Sequence, residues 1–319
     1  MHIVFYGNYG VDYSSESHHA KSLESLGHTV TRLQEPKVHA KDIEAEALKS
    51  DLFCWVKTHG WHTDGDMIEV LRNLRVAGIP SITYHLDLYR PIPERWAQYK
   101  DDPYMLALDH FFTVDAQQAD WLNANTDVKG HYLPPGVYGA ECYPTSQPSP
   151  WANDVVFVGS RGYHSGHKHR QLLLDHLERR YGPRFTRCAG DAHSGTIRGD
   201  ELNRLYSNSK IVVGDTYCTP WDGKPYNYPN YWSDRLPESL GRNAFLAMPY
   251  VRGMEQHFTD GEHLVFWKFG DFDALDAKID YYLEHDDERE KIRRAGHEHV
   301  KANHTYKHRW QTILDTVFG

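Results

Sequence analysis

Apolar positions along this chain fall into short blocks separated by amphipathic stretches. Residues 2–6, 28–33, 52–56, 81–84 and 110–114 are apolar or β-branched runs of strand length. The stretches between them carry helical spacing. Ser14 or Ser15 is placed to cap a helix whose Ala20, Leu23 and Leu26 face inward, with Gly27 as its stop. Residues 41–49 read as the next helix. Asp64 is the expected cap of a third, in which Met67, Leu71 and Leu74 share a face before Gly78 and Pro80 end it. Residues 117–123 supply a helix after the fifth strand. Strand and helix in alternation imply a parallel, doubly wound sheet.

Residues 133–150 break this rhythm. They are rich in proline and poor in pattern, as an interdomain linker would be. The alternation then restarts. Residues 155–158, 185–188 and 211–213 read as strands. Leu173, Leu177 and Tyr181 line a helix stopped by Gly182 and Pro183, and residues 201–206 form another. The stretch 232–268 reads as helix, buried strand, turn and second strand. Leu236 and Leu240 share a helix face, Ser233 or Asp234 is the expected cap, and Phe245-Leu246-Ala247-Met248 is the buried strand, with Pro249 near its end. Leu275, Ile279 and Leu283 mark a helix over 274–283, and Trp310, Ile313, Leu314 and Val317 give the last helix an apolar face.

Composition narrows the class. A chain of 319 residues suits two domains of roughly 150 residues each. With 40% apolar and 13% aromatic residues it can fill two cores. The 44 acidic against 35 basic residues leave a formal charge of −9, which counts against bulk electrostatic binding of nucleic acid. Cys54, Cys142, Cys188 and Cys218 form no close pair, so neither a zinc knuckle nor a redox motif is expected, and a reducing, cytoplasmic setting fits. No export signal is visible, and no apolar run reaches the ~20 residues that cross a bilayer.

The pattern Arg235-x-x-Glu238, an apolar helix, an apolar strand, Gly253-x-Glu255 and Phe258-x-x-Gly261-Glu262 resembles the nucleotide-sugar half of GT-B glycosyltransferases. It looks most like the spore-maturation CgeB-type branch and its phage relatives. Tyr281-Tyr282-Leu283-Glu284-His285, Arg289, Gly296 and His304-Thr305-Tyr306-Lys307-His308-Arg309 resemble the same branch, so the likeness covers the chain from Asp154 onward. The resemblance implies an α/β fold of two Rossmann-like, doubly wound parallel-sheet domains facing across a cleft. Residues 1–150 would be the acceptor-side domain with its linker, and 151–300 the nucleotide-sugar domain. Residues 301–319 would be a helix crossing back to the first domain. It also implies a hexosyltransferase-type enzyme using a nucleotide sugar, UDP-linked by expectation, with no cofactor and no metal. A phage-encoded protein would act in the host cytoplasm.

The diphosphate of such a donor needs amide donors and cations. Gly159-Ser160-Arg161-Gly162 after a strand, with Lys168 beyond it and Arg235 further on, is the candidate; an ordinary strand-to-helix loop with solvated cations is the alternative. Glu238 is the candidate for the ribose hydroxyls. The second glutamate that many GT-B families place eight positions earlier is Asn230 here. Parallel strands deliver their carboxyl ends to one edge, so Asp87, His59 and His85 are candidate catalytic groups, set against a plain structural role for each histidine. Gly7, Gly10, Asp215, Tyr217, Trp232, Gly253 and Glu255 are candidate contacts for donor sugar, base or acceptor. The aromatic loop from Tyr217 to Trp232 either stacks on sugar or base or packs on itself. His164, His167 and His169 lack firm ligand spacing, and Lys168 among them opposes a cation. The acceptor stays open among a small molecule, a protein and hydroxymethylated DNA. A two-domain ligand-binding protein and a nucleotide-sugar epimerase are the rival classes.

Overall fold

The computed structural model describes residues 1–58, 60–162, 168–216 and 228–319, and of Lys168 the backbone only. The chain forms two compact units, Met1–Tyr138 with Tyr306–Gly319, and Gly139–Thr305.

The first unit runs β1 (His2–Gly7), α1 (Ser15–Ser25), β2 (Thr29–Gln34), α2 (Ala40–Ala47), β3 (Leu52–Trp55), α3 (Met67–Val76), β4 (Ser81–His85), α4 (Pro93–Tyr99), β5 (His110–Thr113), α5 (Ala116–Asn125) and β6 (Lys129–Tyr132). Its strands lie in the order β2-β1-β3-β4-β5-β6, and every pair is parallel. The central strands β3, β4 and β5 are buried throughout, as expected when helices cover both faces of a sheet. The edge strands β2 and β6 are half-exposed and polar, which blunts the sheet against pairing with other chains. Ser14 caps α1 as expected, accepting from the Ser17 amide. The cap of α3 is Asp66, not Asp64; its carboxylate accepts from the amides of Ile68 and Glu69.

The second unit contains β7 (Val155–Val158), α6 (Lys168–Tyr181), β8 (Phe185–Cys188), α7 (Gly199–Asn208), β9 (Ile211–Val213), α8 (Arg235–Gly241), β10 (Leu246–Pro249), β11 (Val265–Trp267), α9 (Phe272–Glu284) and α10 (Asp286–Asn303). The strand order is β11-β10-β9-β7-β8, again parallel throughout. Asp234 occupies the position before α8, but its side chain does not cap the helix. Arg293 of α10 is 3% exposed and donates to the carbonyls of Tyr206, Ser207, Ser209, Lys210 and Asn243. One guanidinium thus satisfies the carbonyl end of α7 and the turn after α8.

The last helix, α11 (Tyr306–Phe318), belongs to the first unit and packs on α1. Residues 133–137, the start of the expected linker, are not a loose spacer. Leu133 and Val137 are buried. The Pro134 carbonyl accepts from Arg309 at 2.6 Å and from Tyr84 at 2.9 Å, and Pro135 from Arg309 at 3.0 Å. No described helix is long and apolar enough to cross a membrane.

His19 of α1 fixes the seat of α11. Its Nδ1 accepts from the indole of Trp310 at 3.1 Å, and its ring packs on Tyr306 and Tyr84. The proton therefore sits on Nε2, which is buried without a hydrogen-bond partner among the described residues. Burial, with His18 adding to it, pushes the His19 pKa down to about 3. A depressed pKa means the contact is fully stabilising above the unfolded value of about 6.5 and weakens as pH falls toward 3, by about 1.4 kcal/mol per pH unit. His19→Gln keeps an acceptor and removes the titration. Melting temperatures measured from pH 8 to pH 4 are expected to fall less steeply in this variant than in the wild type; parallel profiles would remove His19 as the source.

Candidate nucleotide-binding site

In an open α/β sheet, ligands collect where the strand order reverses, beyond the carboxyl ends. In the second unit that point lies between β7 and β9. The two strands end at Val158-Gly159-Ser160 and Val213-Gly214-Asp215. Two arginines converge there on one carboxylate. Arg170 of α6 donates through Nε to Asp215 Oδ2 at 2.6 Å and through Nη1 to the Ser160 carbonyl at 3.0 Å. Arg235 of α8 lies with Nε 3.7 Å from Asp215 Oδ1 and donates to the Val158 carbonyl. Both guanidiniums lie over the Phe157 ring, at 5.8 and 5.1 Å from its centroid. Gly159 has φ 153°, and a Cβ there would meet Arg235 Nη2 and the Phe157 ring at 3.0 Å. The glycine is what lets the guanidinium approach this backbone.

Among the described residues, two positive charges stand against one negative in this cluster. Exposure decides which arginine can reach a ligand. The Arg170 and Asp215 side chains are 5% and 4% exposed, whereas Arg235 is 20% exposed. Arg170 and Asp215 are therefore the support and Arg235 the reaching group. Arg170 was not among the residues singled out from sequence; its neighbour Lys168 was, and it opens α6 with its side chain outside the described part.

Other expected site residues stand elsewhere. Arg161 donates to Asp175 and Glu178 of α6, so two carboxylates already balance its charge. Burial opposes its charged form, but those two acids outweigh it and hold its pKa above the ordinary value. Glu238 lies one turn into α8 with its Oε1 3.6 Å from Arg242 Nε. Arg242 is itself buried and donates to the carbonyls of Glu141 and Gly199 and to Asn203. Trp232 is fully buried against His257 and Phe258, a core side chain and not a stacking surface. Glu255 accepts from the Gly253 amide at 2.7 Å and the Tyr250 hydroxyl at 2.9 Å. Those bonds hold its pKa low against the opposing effect of burial. Tyr217 lies outside the described residues.

The first unit treats the equivalent turn in the opposite way. Gly7 ends β1, and a Cβ on it would meet Glu16 Cγ at 2.8 Å. Glu16, in the first turn of α1, is buried there, and burial raises its pKa despite bonds from its own amide and that of Asn8. An internal carboxylate thus fills the place at the first helix start where an anion would otherwise bind. The Gly10 amide donates to Asn8 Oδ1 nearby. His85 is a core residue, 3% exposed, bonded through Nδ1 to the Tyr89 hydroxyl and packed on Tyr99 and Phe111. Asp87 is exposed just past the end of β4. His59 lies outside the described residues. Among the described residues, no cluster of three or more His, Cys, Asp or Glu could hold a metal ion.

Residues 168–315 match the family described as glycosyl transferase-like. The match covers most of the second unit and less than half of the chain. Its span begins at α6, runs through Asp215, Arg235 and Glu238, and ends in α11. No curated protein sequence matches the chain. Among solved structures, a glycosyltransferase of Rickettsia africae aligns over 99% of this chain and 97% of its own, with TM-score 0.64 and 14% identity. Anabaena HepE with UDP-glucose aligns over 99% of both chains, at 0.65 and 15%. An α-glucosyltransferase in complex with UDP-glucose and DNA containing an abasic site aligns over 100% of both, at 0.70 and 11%. The fold is the GT-B fold.

Removing Asp215 alone would leave two guanidiniums facing each other without their carboxylate. Asp215→Ala is expected to cost about 3–5 kcal/mol. Adding Arg170→Met in the same chain is expected to recover part of that loss, because the double variant no longer buries an unbalanced charge. Denaturation of the two variants and the wild type checks this; additive losses would show that the two residues do not act as a pair.

Proposed function

We propose that the protein transfers a sugar from a UDP-sugar to an acceptor hydroxyl. The observation that carries this reading is the cationic cluster of Arg170, Asp215 and Arg235 at the β7/β9 switch point. It sits within the glycosyl transferase-like span. HepE and the α-glucosyltransferase, which share the fold, were seen with UDP-glucose. In the reaction, the bond from the anomeric carbon to the diphosphate breaks and a bond to the acceptor oxygen forms. The hydroxyl proton passes to a base or to the departing diphosphate. Charge grows on that diphosphate as it leaves, and a preorganised cation there lowers the barrier. Arg235 is the group proposed to supply it, with Arg170 and Asp215 holding it in place. A guanidinium does this work without a metal. Glu238 is proposed for the ribose hydroxyls. Asp87, exposed at the end of β4, and His59 are the proposed acceptor-side bases. The buried thiols Cys54, Cys142 and Cys188 suit a cytoplasmic setting.

A DNA acceptor is the second reading. The likeness to an α-glucosyltransferase bound to DNA favours it, as does the resemblance of 235–262 to the CgeB-type branch with its phage relatives. The net charge of −9 weighs on the other side.

Purified protein is expected to bind UDP and to release it from UDP-sugars, with no loss on adding a chelator. Arg235→Ala is expected to weaken UDP binding by about ten-fold or more, the value of one charge-assisted contact, while the melting temperature of the chain stays close to that of the wild type. Calorimetric titration with UDP gives the answer. Equal affinity in the variant would exclude Arg235 as the diphosphate ligand, and absence of any UDP binding would exclude the donor assignment.

A further inference from the structure

In the second unit, the connection from β10 to β11 is fastened to α10 by histidines. Gly296 of α10 has no side chain, and a Cβ placed there would collide with the His263 carbonyl. The two backbones therefore touch. Beside this notch the His263 ring lies flat on that of His299, with centroids 3.9 Å apart and planes at 17°. His299 Nε2 lies 2.7 Å from the His257 carbonyl and 3.3 Å from His304 Nε2. His304 is buried and stacks on Phe258 at 4.7 Å. Phe258 and the His257 ring form the wall against which fully buried Trp232 packs. Trp232 stands three positions before Arg235, the first residue of α8.

The hydrogen bonds fix where the protons lie. A carbonyl only accepts, so His299 Nε2 carries a proton and donates to His257 and His304. His304 Nε2 is then an acceptor. His299 Nδ1 keeps a lone pair, which the Asn303 side-chain amide reaches at 3.4 Å while donating to the His299 carbonyl at 3.0 Å. His263 Nδ1 accepts from the Thr259 amide at 3.1 Å. In each of these three rings the basic nitrogen already faces an N–H. A further proton must displace that donor, and it adds positive charge to stacked imidazoles. Glu262 Oε1 lies 3.8 Å from His263 Nε2, but this carboxylate is 64% exposed and screened by water. The other charged or titratable groups on these segments turn elsewhere. Asp260 accepts from the Phe266 amide, His297 donates to the Gly241 carbonyl, Lys301 donates to the carbonyls of Gly139 and Cys142, and Glu298 is exposed. Burial, with His299 adding to it and Glu262 opposing, lowers the His263 pKa.

We propose that this histidine cluster is an acid-sensitive latch: on protonation it frees residues 254–264 from α10, unseats Trp232 and loosens the start of α8, and so weakens donor binding at Arg235. Only the last step rests on the donor reading. The coupling runs through a contiguous set of packed rings, from His299 to His304, Phe258 and Trp232. A histidine held neutral stabilises its contacts fully above the unfolded pKa of about 6.5 and loses that contribution as pH falls below it. Between pH 7.5 and pH 5.5 one such group makes local opening about ten-fold easier.

Amide hydrogen exchange of the full chain at pH 7.5 and pH 5.5, corrected for the intrinsic rate, tests it. At pH 5.5 the protection of residues 254–264 and 230–235 is expected to fall by about ten-fold, beyond any change in β9 and β10 of the same unit. Combining His263→Gln with His299→Gln keeps donors and acceptors and removes two titrations, so the fall is expected to shrink to less than about three-fold. The phosphate of UDP itself titrates near a pKa of about 6, so its affinity is compared between wild type and this variant at both pH values. The wild type is expected to lose about three-fold more affinity at pH 5.5 than the variant does. Protection of 254–264 unchanged by acid in the wild type, an equal fall in the variant, or one pH dependence of UDP affinity shared by both would overturn the proposal. The wild-type exchange decides even where the variant does not fold. Absence of UDP binding at either pH would instead sink the donor assignment, and the exchange profiles would still show whether the latch opens.

Discussion

A carboxylate with almost no access to water must be paired, and Asp215 is paired twice. That requirement organises the second unit around its switch point. Arg170 ties α6 to the end of β9 and, through the Ser160 carbonyl, to the end of β7. Arg235 ties α8 to the same two loops. Two helices and two strand ends are thereby fixed by a cluster in which, among the described residues, a buried and a part-exposed cation share one buried anion. A pair of this kind adds little net stability, since desolvation offsets most of the attraction. Its effect is positional: the backbone at Gly159 and the tip of Arg235 are held before any ligand arrives. Preorganised charge is worth more to a departing anion than charge that must first be gathered.

The two units share a strand topology and differ in electrostatics at the same place. At the β1–α1 turn the chain places its own buried carboxyl group, Glu16, under Gly7. At the β7–α6 turn it supplies arginines. One turn is therefore filled by a side chain and the other presents positive charge, although the folds around them are alike. This also reconciles the overall charge of −9 with the anionic donor proposed above. Net charge governs long-range approach, whereas binding depends on the few groups within a Debye length of about 10 Å or less.

Much of the fold was legible because parallel strands covered on both faces are apolar without interruption. Phe53 to Trp55 and Val155 to Phe157 stand out for that reason. The elements that escaped are polar. β6 is an edge strand of sequence Lys-Gly-His-Tyr, with no apolar run to find. α10 is highly charged, and its buried face includes Arg289 and Arg293 where a helical pattern would show apolar residues. The same physics explains what was missed at the site. Arg170 sits in the run Lys168-His169-Arg170-Gln171, which reads as a solvated helix start. Only its partner, 45 positions later, makes it a buried group. Glycines were legible as flexible points, yet what each one approaches is a tertiary fact.

Arginine bears most of the load at the joints of this molecule, and that narrows the search for the functional one. Arg293 closes the carbonyl end of α7, Arg242 binds the carbonyls of Glu141 and Gly199, and Arg309 holds the two prolines that follow β6. In each case a planar fork of donors satisfies backbone acceptors that no strand or helix reaches. These guanidiniums are 3–6% exposed and turned inward. A sugar-nucleotide site cannot recruit them without opening the fold. Arg161 is closer to solvent but is neutralised by Asp175 and Glu178. Arg235 differs from all of them: it shares its only acidic partner among the described residues with Arg170, keeps a fifth of its surface open, and stands at the glycine turn where the strand order reverses. Of the arginines in this group, it alone combines a structural tie with a tip left open to solvent at the switch point.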